Sequence, residues 1–204
     1  LVLTGNQLYS GATAVQGGRL VIDVAGTLKS GATAAEYGSG ISLASGSILE
    51  FSSTANQKIT GVISGAGALV KSDTGTLTLD AYNTYSGGTI VNGGTLLLGK
   101  GGGTGTIRGT LTVNAGATVN YLADHTFGWD AGVSVNVLNI VGGTVGGANF
   151  SQHFYGGNAF TLNMTGGELK LGKGGYAYNP SGNLTVNVNA SANQALISSV
   201  GGAM

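Results

Sequence analysis

Cysteine is absent from this chain of 204 residues, which excludes disulfides and thiolate metal sites together. That suits a protein exported unfolded, in which early disulfides would obstruct translocation. Proline and tryptophan occur once each. Charge is scarce: 8% of residues are Asp, Glu, Lys or Arg, against about 25% in an average globular chain. The eight cations and eight anions balance to zero. A nucleic-acid partner requires a basic footprint, and Lys and Arg scattered this thinly do not make one. No apolar run reaches the length of roughly 18 residues that a spanning helix needs. The chain opens at Leu1 with no signal-peptide pattern, so it is expected to be a fragment or a processed segment. Helical periodicity is missing too. The best window, Ala32 to Tyr37, is short and lies between glycines.

What is present is glycine, at 40 residues, and apolar side chains, at 42% with a mean hydropathy of +0.25. Disorder goes with low hydrophobicity and high net charge, and neither applies. The chain is therefore expected to fold, and to fold as something other than a helical domain.

Repeats decide the reading. Leu1 to Ile22 reads LVLTGNQLYSGATAVQGGRLVI, and Leu77 to Leu98 reads LTLDAYNTYSGGTIVNGGTLLL. Superposed without a gap, they match at nearly half of their positions, among them Tyr9/Tyr85, Ser10/Ser86, Gly11/Gly87, Thr13/Thr89 and Gly18/Gly94. A shorter unit recurs more often: a β-rich run, Gly-Gly or Ala-Gly, then another β-rich run. Its turn pairs begin at Gly93, Ala115, Gly142 and Gly166. The step between them is near-constant at about 24 residues, with insertions, which is the mark of stacked coils. Inside each unit apolar and polar residues alternate, as in Leu111 and Val113 against Thr112 and Asn114. That period predicts strands with one face buried and one face wet.

The phase separates a solenoid from a sandwich. Leu111, Leu138 and Leu162 occupy equivalent places, as do Val113, Ile140 and Met164. Parallel stacking puts like on like roughly 4.8 Å apart, which predicts aliphatic ladders inside and an amide ladder of Asn139 and Asn163 outside. About 24 residues per coil predicts about eight coils and a rod about 40 Å long.

The segment Gly61 to Gly99 resembles the autotransporter-associated β-strand repeat, or passenger-associated transport repeat. The resemblance rests on Lys71, Gly75-Thr-Leu-Thr-Leu79, Asn83-Thr-Tyr-Ser-Gly-Gly-Thr89 and Asn92-Gly-Gly-Thr-Leu96. Residues 1–22 form a degenerate second copy, and 100–204 match only as generic Gly-rich coils. The resemblance implies an all-β fold, a right-handed parallel β-helix, within a type V secreted passenger of a Gram-negative bacterium. It brings no catalytic residue and no cofactor. It implies attachment to the outer membrane through a translocator barrel that lies outside this chain.

Two stretches look like sites. Asp124-His-Thr-Phe-Gly-Trp-Asp130 holds the only Trp, one of two His and two of eight acids. Trp129 could stack on a sugar while Asp124 and Asp130 take its hydroxyls; alternatively Phe127 and Trp129 cover core between coils. The second stretch is Phe150 to Tyr155, followed by Tyr176 and Tyr178. Steps of about 24 residues would bring 127–129, 153–155 and 176–178 onto neighbouring coils. His153, Phe154, Tyr155, Tyr176 and Tyr178 would then form an aromatic stripe, either a contact surface or a stack that stiffens the rod.

Enzymatic readings find little support. Glycoside hydrolysis needs a carboxylate pair, and only Asp124 and Asp130 are close in sequence. Gly99 to Thr106 lacks the Gly-Lys-Ser/Thr ending and the following helix of a phosphate loop, and lacks the Asp of a Ca²⁺-binding repeat. Two His and no Cys do not make a transition-metal site. The expectation is a non-catalytic, surface-displayed stalk or adhesin segment. Its expected partners are a host or matrix surface, glycan or protein, or like chains. The alternatives are a filament or surface-layer subunit that self-associates through open β-helix ends, and, less favoured, a polysaccharide-active enzyme.

Overall fold

A computed structural model of the chain describes residues 1–30, 36–130, 132–147, 150, 152–154, 159–172, 176–178, 183–189 and 194–199. Among them there are strands, turns and bends and no α-helix. Every strand pairing is parallel. The chain is a β-solenoid with three faces.

The first face stacks Val2–Leu3, Arg19–Val24, Ile48–Ser53, Ala68–Lys71, Thr89–Val91 and Gly109–Asn114. The leading halves of Val135–Gly146 and Phe160–Leu171 continue it, and Leu184–Val188 is the last described strand on it. The advance from coil to coil is uneven. It is short at Val2↔Val21, long at Leu20↔Leu49 and intermediate at Leu138↔Leu162 and Leu162↔Val186. From Thr89↔Leu111 to Leu138↔Leu162 it reproduces the spacing of the Gly-Gly and Ala-Gly pairs. The number of stacked strands on this face lies close to the coil number expected from length.

The second face runs through Gln57–Ile59, Thr76–Leu79, Gly94–Leu98 and Ala117–Tyr121, then the trailing halves of the two long strands, then Ala195–Ser199. The third face begins with Thr13–Val15, Ile41–Leu43 and Ile63–Gly65. It continues as main-chain bonds, for example Ser86 N to Gly65 O at 2.9 Å.

The interior is built from columns. One column reads Leu20, Leu49, Leu69, Thr89, Leu111, Leu138, Leu162, all buried. A second reads Ile22, Phe51, Lys71, Val91, Val113, Ile140, Met164, again all buried. The expected aliphatic ladders are therefore present. The expected amide ladder is longer than the sequence suggested: Asn187 Nδ2 donates to Asn163 Oδ1 at 2.8 Å, Asn163 Nδ2 to Asn139 Oδ1 at 2.8 Å, and Asn139 Nδ2 to Thr112 Oγ1 at 3.1 Å.

Candidate contact surface and the repeat that builds it

The repeat motif is a set of polar clamps at corners. In the full copy, Tyr85 is buried and its hydroxyl lies 2.6 Å from Thr89 Oγ1. The degenerate copy makes the same contact, Tyr9 to Thr13, at 2.6 Å. There a third hydroxyl joins: Tyr37 OH reaches Thr13 Oγ1 at 2.8 Å, and its ring meets Tyr9 edge-on at 5.6 Å. A phenol inside an aliphatic rod is tolerable only because its hydroxyl is paired. Burial raises the pKa of both Tyr85 and Tyr37, so both stay neutral.

Asn83 does the work of a missing stretch of main chain. Its Oδ1 accepts from Ile63 N at 2.8 Å, and its Nδ2 donates to Thr106 O at 2.9 Å and Ala81 O at 3.1 Å. One amide thus ties three successive coils. Lys71 stands in an aliphatic column with a relative exposure of 1%. Its Nζ turns to the corner and donates to the carbonyls of Ser72, Asp73 and Gly93, which uses all three ammonium donors. Burial lowers its pKa, and the neighbouring Asp73 works against that.

The charges outside are organised as well. Lys58 Nζ sits 3.1 Å from Glu36 and 3.3 Å from Asp80, and Asp80 sits 3.2 Å from Lys100. Successive members of this alternating column, Glu36, Lys58, Asp80 and Lys100, are one coil apart in sequence. Hydrogen bonds to Glu36 and then Asp80 raise the Lys58 pKa. Glu50 holds Arg19 at 3.2 Å and accepts from Ser72 Oγ at 2.8 Å. Glu168 holds Lys170 at 3.4 Å and accepts from Ser198 Oγ. Sequence reasoning singled out neither this column nor the clamping role of Lys71 and Asn83. Spacings near one coil were the only signal for the column.

The loop after Ala117–Tyr121 carries the first site-like stretch. Phe127 is fully buried, and its ring meets Tyr121 edge-on at 5.3 Å. It packs the core and cannot present a contact face. Trp129 is half-buried and meets His125 edge-on at 4.9 Å. Asp124 and Asp130 are exposed. The loop is seated on the preceding coil: Trp129 N and Asp130 N both donate to Gly103 O, at 2.7 and 2.9 Å. The Asp130 carboxylate lies where a side chain at 103 would start. The glycine run rejected above as a phosphate loop is the bed on which this loop rests.

The second stretch is paired as main chain. Gln152–Phe154 lies parallel to Tyr176–Tyr178, with Gln152 opposite Tyr176, His153 opposite Ala177 and Phe154 opposite Tyr178. Phe150 packs against the core. Tyr155 lies outside the described residues. No described strand pairing joins 127–129 to 152–154. Among the described residues, no group of three His, Asp or Glu side chains could hold a metal ion.

A stack of parallel coils, cornered by glycine and clamped in both copies of the motif by a Tyr–Thr hydroxyl pair, defines a repeat-built β-solenoid. The passenger-associated transport repeat model matches residues 1–22 and 69–98. The adhesin BmaC autotransporter of Brucella suis biovar 1 (strain 1330) is 35% identical over 145 residues, covering 70% of this chain and 4% of that protein. The chain thus spans a small fraction of the relative's length. No solved structure matches. The chain is an autotransporter passenger repeat protein with a β-helix fold.

Proposed function

We propose that this chain is a non-catalytic segment of a surface-displayed adhesin passenger, a rod that carries a contact flank away from the cell and presents it to a host or matrix surface. The observation that carries the reading is the passenger repeat at 1–22 and 69–98 in one continuous parallel stack, together with the likeness to an autotransporter adhesin. The fate of the acids supports it. Glu36, Glu50 and Asp80 pair with cations of neighbouring coils and Glu168 with Lys170 of its own strand, so half of the eight acids serve the rod itself. The flank proposed for contact holds Asp124, Trp129 and Asp130, with His153, Phe154, Tyr176 and Tyr178 on the later coils. Attachment to the outer membrane would come from a part of the protein outside this chain.

Beads coated with the chain test this reading. Saturable attachment to epithelial cells or matrix-coated wells, above albumin-coated beads, is expected. Attachment equal to albumin rejects the adhesive role.

A further inference from the structure

Arg108 is one of two arginines in the chain. Arg19 pairs with Glu50. Arg108 makes no ion pair with any described residue, and its one hydrogen bond runs from Nε to Asn83 O at 3.2 Å. That bond anchors the guanidinium by its inner nitrogen and leaves the terminal fork to the cleft that Arg108 lines. The cleft has a volume of about 110 Å³ and is lined by Ser86, Arg108, Gly109, Gly132, Ser134 and Asn136.

Those residues come from three successive coils at one corner. Ser86 lies just before Thr89–Val91, Arg108 and Gly109 at the start of Gly109–Asn114, and Ser134 and Asn136 at the start of Val135–Gly146. Gly109 N donates to Ser134 O at 3.0 Å, which locks two of the coils together. The side chains of Ser86, Ser134 and Asn136 hydrogen-bond to no other described residue, although Ser134 is a buried residue. Polar groups that converge on a recess without partners inside the protein are what a ligand site needs.

We propose that this cleft binds the oxyanion of an acidic saccharide, with the carboxylate or sulfate on the Arg108 fork and the neighbouring sugar hydroxyls on Ser86, Ser134 and Asn136. The planar fork matches a planar carboxylate in two parallel bonds. The serine hydroxyls and the asparagine amide can both donate and accept, which suits sugar hydroxyls. The recess takes the charged edge of a sugar and not a whole chain, so affinity comes from repetition across many displayed copies. The inference rests on the adhesive reading and names the ligand chemistry for it.

The test is a ¹H–¹⁵N titration of the whole chain with glucuronate, N-acetylneuraminate, a sulfated disaccharide and, as the neutral control, glucose. Saturable shifts of the Arg108, Gly109 and Ser134 amides are expected, with Kd on the order of millimolar, and glucose should produce none. Response to the carboxylates alone assigns the anion as a sugar acid; response to the sulfated disaccharide alone assigns it as a sulfate ester. Arg108→Gln should weaken binding at least tenfold. Asn136→Ala, at an exposed position, should weaken it several-fold with the unfolding midpoint unchanged. No shift at those amides with any anion, or equal binding by Arg108→Gln, overturns the proposal. A chain whose beads adhere while the amides stay silent fails here alone. A chain that binds sugar acids on beads that do not adhere fails as an adhesin alone.

Discussion

Gly18 and Gly94 hold the same place in the two repeat copies and share a left-handed backbone, with φ of 66° and 62°. Their surroundings differ. A Cβ at Gly18 meets open space, whereas one at Gly94 runs into the carbonyl oxygens of Asp73 and Gly75 and approaches Lys71 Nζ. Gly18→Ala therefore carries backbone strain of about 1–2 kcal/mol. Gly94→Ala adds steric overlap with a buried clamp and should cost more than about 3 kcal/mol. Urea unfolding of the two variants should rank them in that order. Tyr85 supplies a second prediction. Tyr85→Phe strands the buried Thr89 hydroxyl and should cost about 1–2 kcal/mol at neutral pH; Tyr9→Phe, at a less buried position, should cost less. The phenol also sets a pH response. Its pKa is raised in the folded chain, so above about pH 10 the unfolded chain loses a proton that the folded chain keeps, and stability falls as pH rises. Tyr37 and Lys58, also raised, act in the same direction. Lys71, lowered by burial, acts oppositely: its ammonium costs stability at neutral pH, and that cost fades as pH rises towards its ordinary value. Tyr85, the most deeply buried, should dominate. Denaturation curves from about pH 9 to 12 should fall steeply for the parent chain and less steeply for Tyr85→Phe.

Columns of like residues are what hold one coil to the next. In the amide ladder, Asn163 both donates to Asn139 and accepts from Asn187, while Asn187 makes one bond of the series. Asn163→Ala should cost about 1 kcal/mol and Asn187→Ala about half that, read from midpoint shifts in urea. The charge column is weaker. Asp80 touches Lys58 and Lys100, all partly solvated, so Asp80→Asn should cost under about 1 kcal/mol, and nothing in about 1 M NaCl. The aliphatic columns and the Asn139–Asn163 rung were legible in the sequence because strand alternation has period two and the Gly-Gly pairs fixed its phase. The charge column was not, because Glu36, Asp80 and Lys100 lie outside the strands whose phase could be compared. Lys71 was hidden for another reason. A lysine at an inward position contradicts the alternation rule, and only the three corner carbonyls explain it. At the first site-like stretch the rarity of tryptophan drew attention to 124–130, but rarity carries no direction. Phe127 faces the core and Trp129 the boundary, and which was which depended on how the loop lay on Gly103. The Arg108 cleft joins residues from three coils, and no local pattern marks it.

Each coil touches only its neighbours, so stability is a sum along the rod and opening begins where one neighbour is missing. The inward positions of the last described strand show the effect: Val186 is 47% exposed, whereas Leu162 below it is 5% exposed. Hydrogen exchange should find the amides of Leu69–Val70, Leu111–Val113 and Leu138–Ile140 slowest and those of Leu184–Val188 among the fastest. Uniform protection along the chain would refute the nearest-neighbour description.

Coils of this rod differ in length, yet Leu20 still meets Leu49 and Leu111 still meets Leu138 across the two longest of them on the first face. The loop that carries Trp129 leaves the stack at a corner, and the chain returns in time to keep the inner column. Such corners are natural ports for cargo. A foreign peptide spliced beside Asp130 would ride on the outside of an unaltered cross-section. This architecture can therefore change what it shows to the world at the cost of one bend, and leave the chassis as it was.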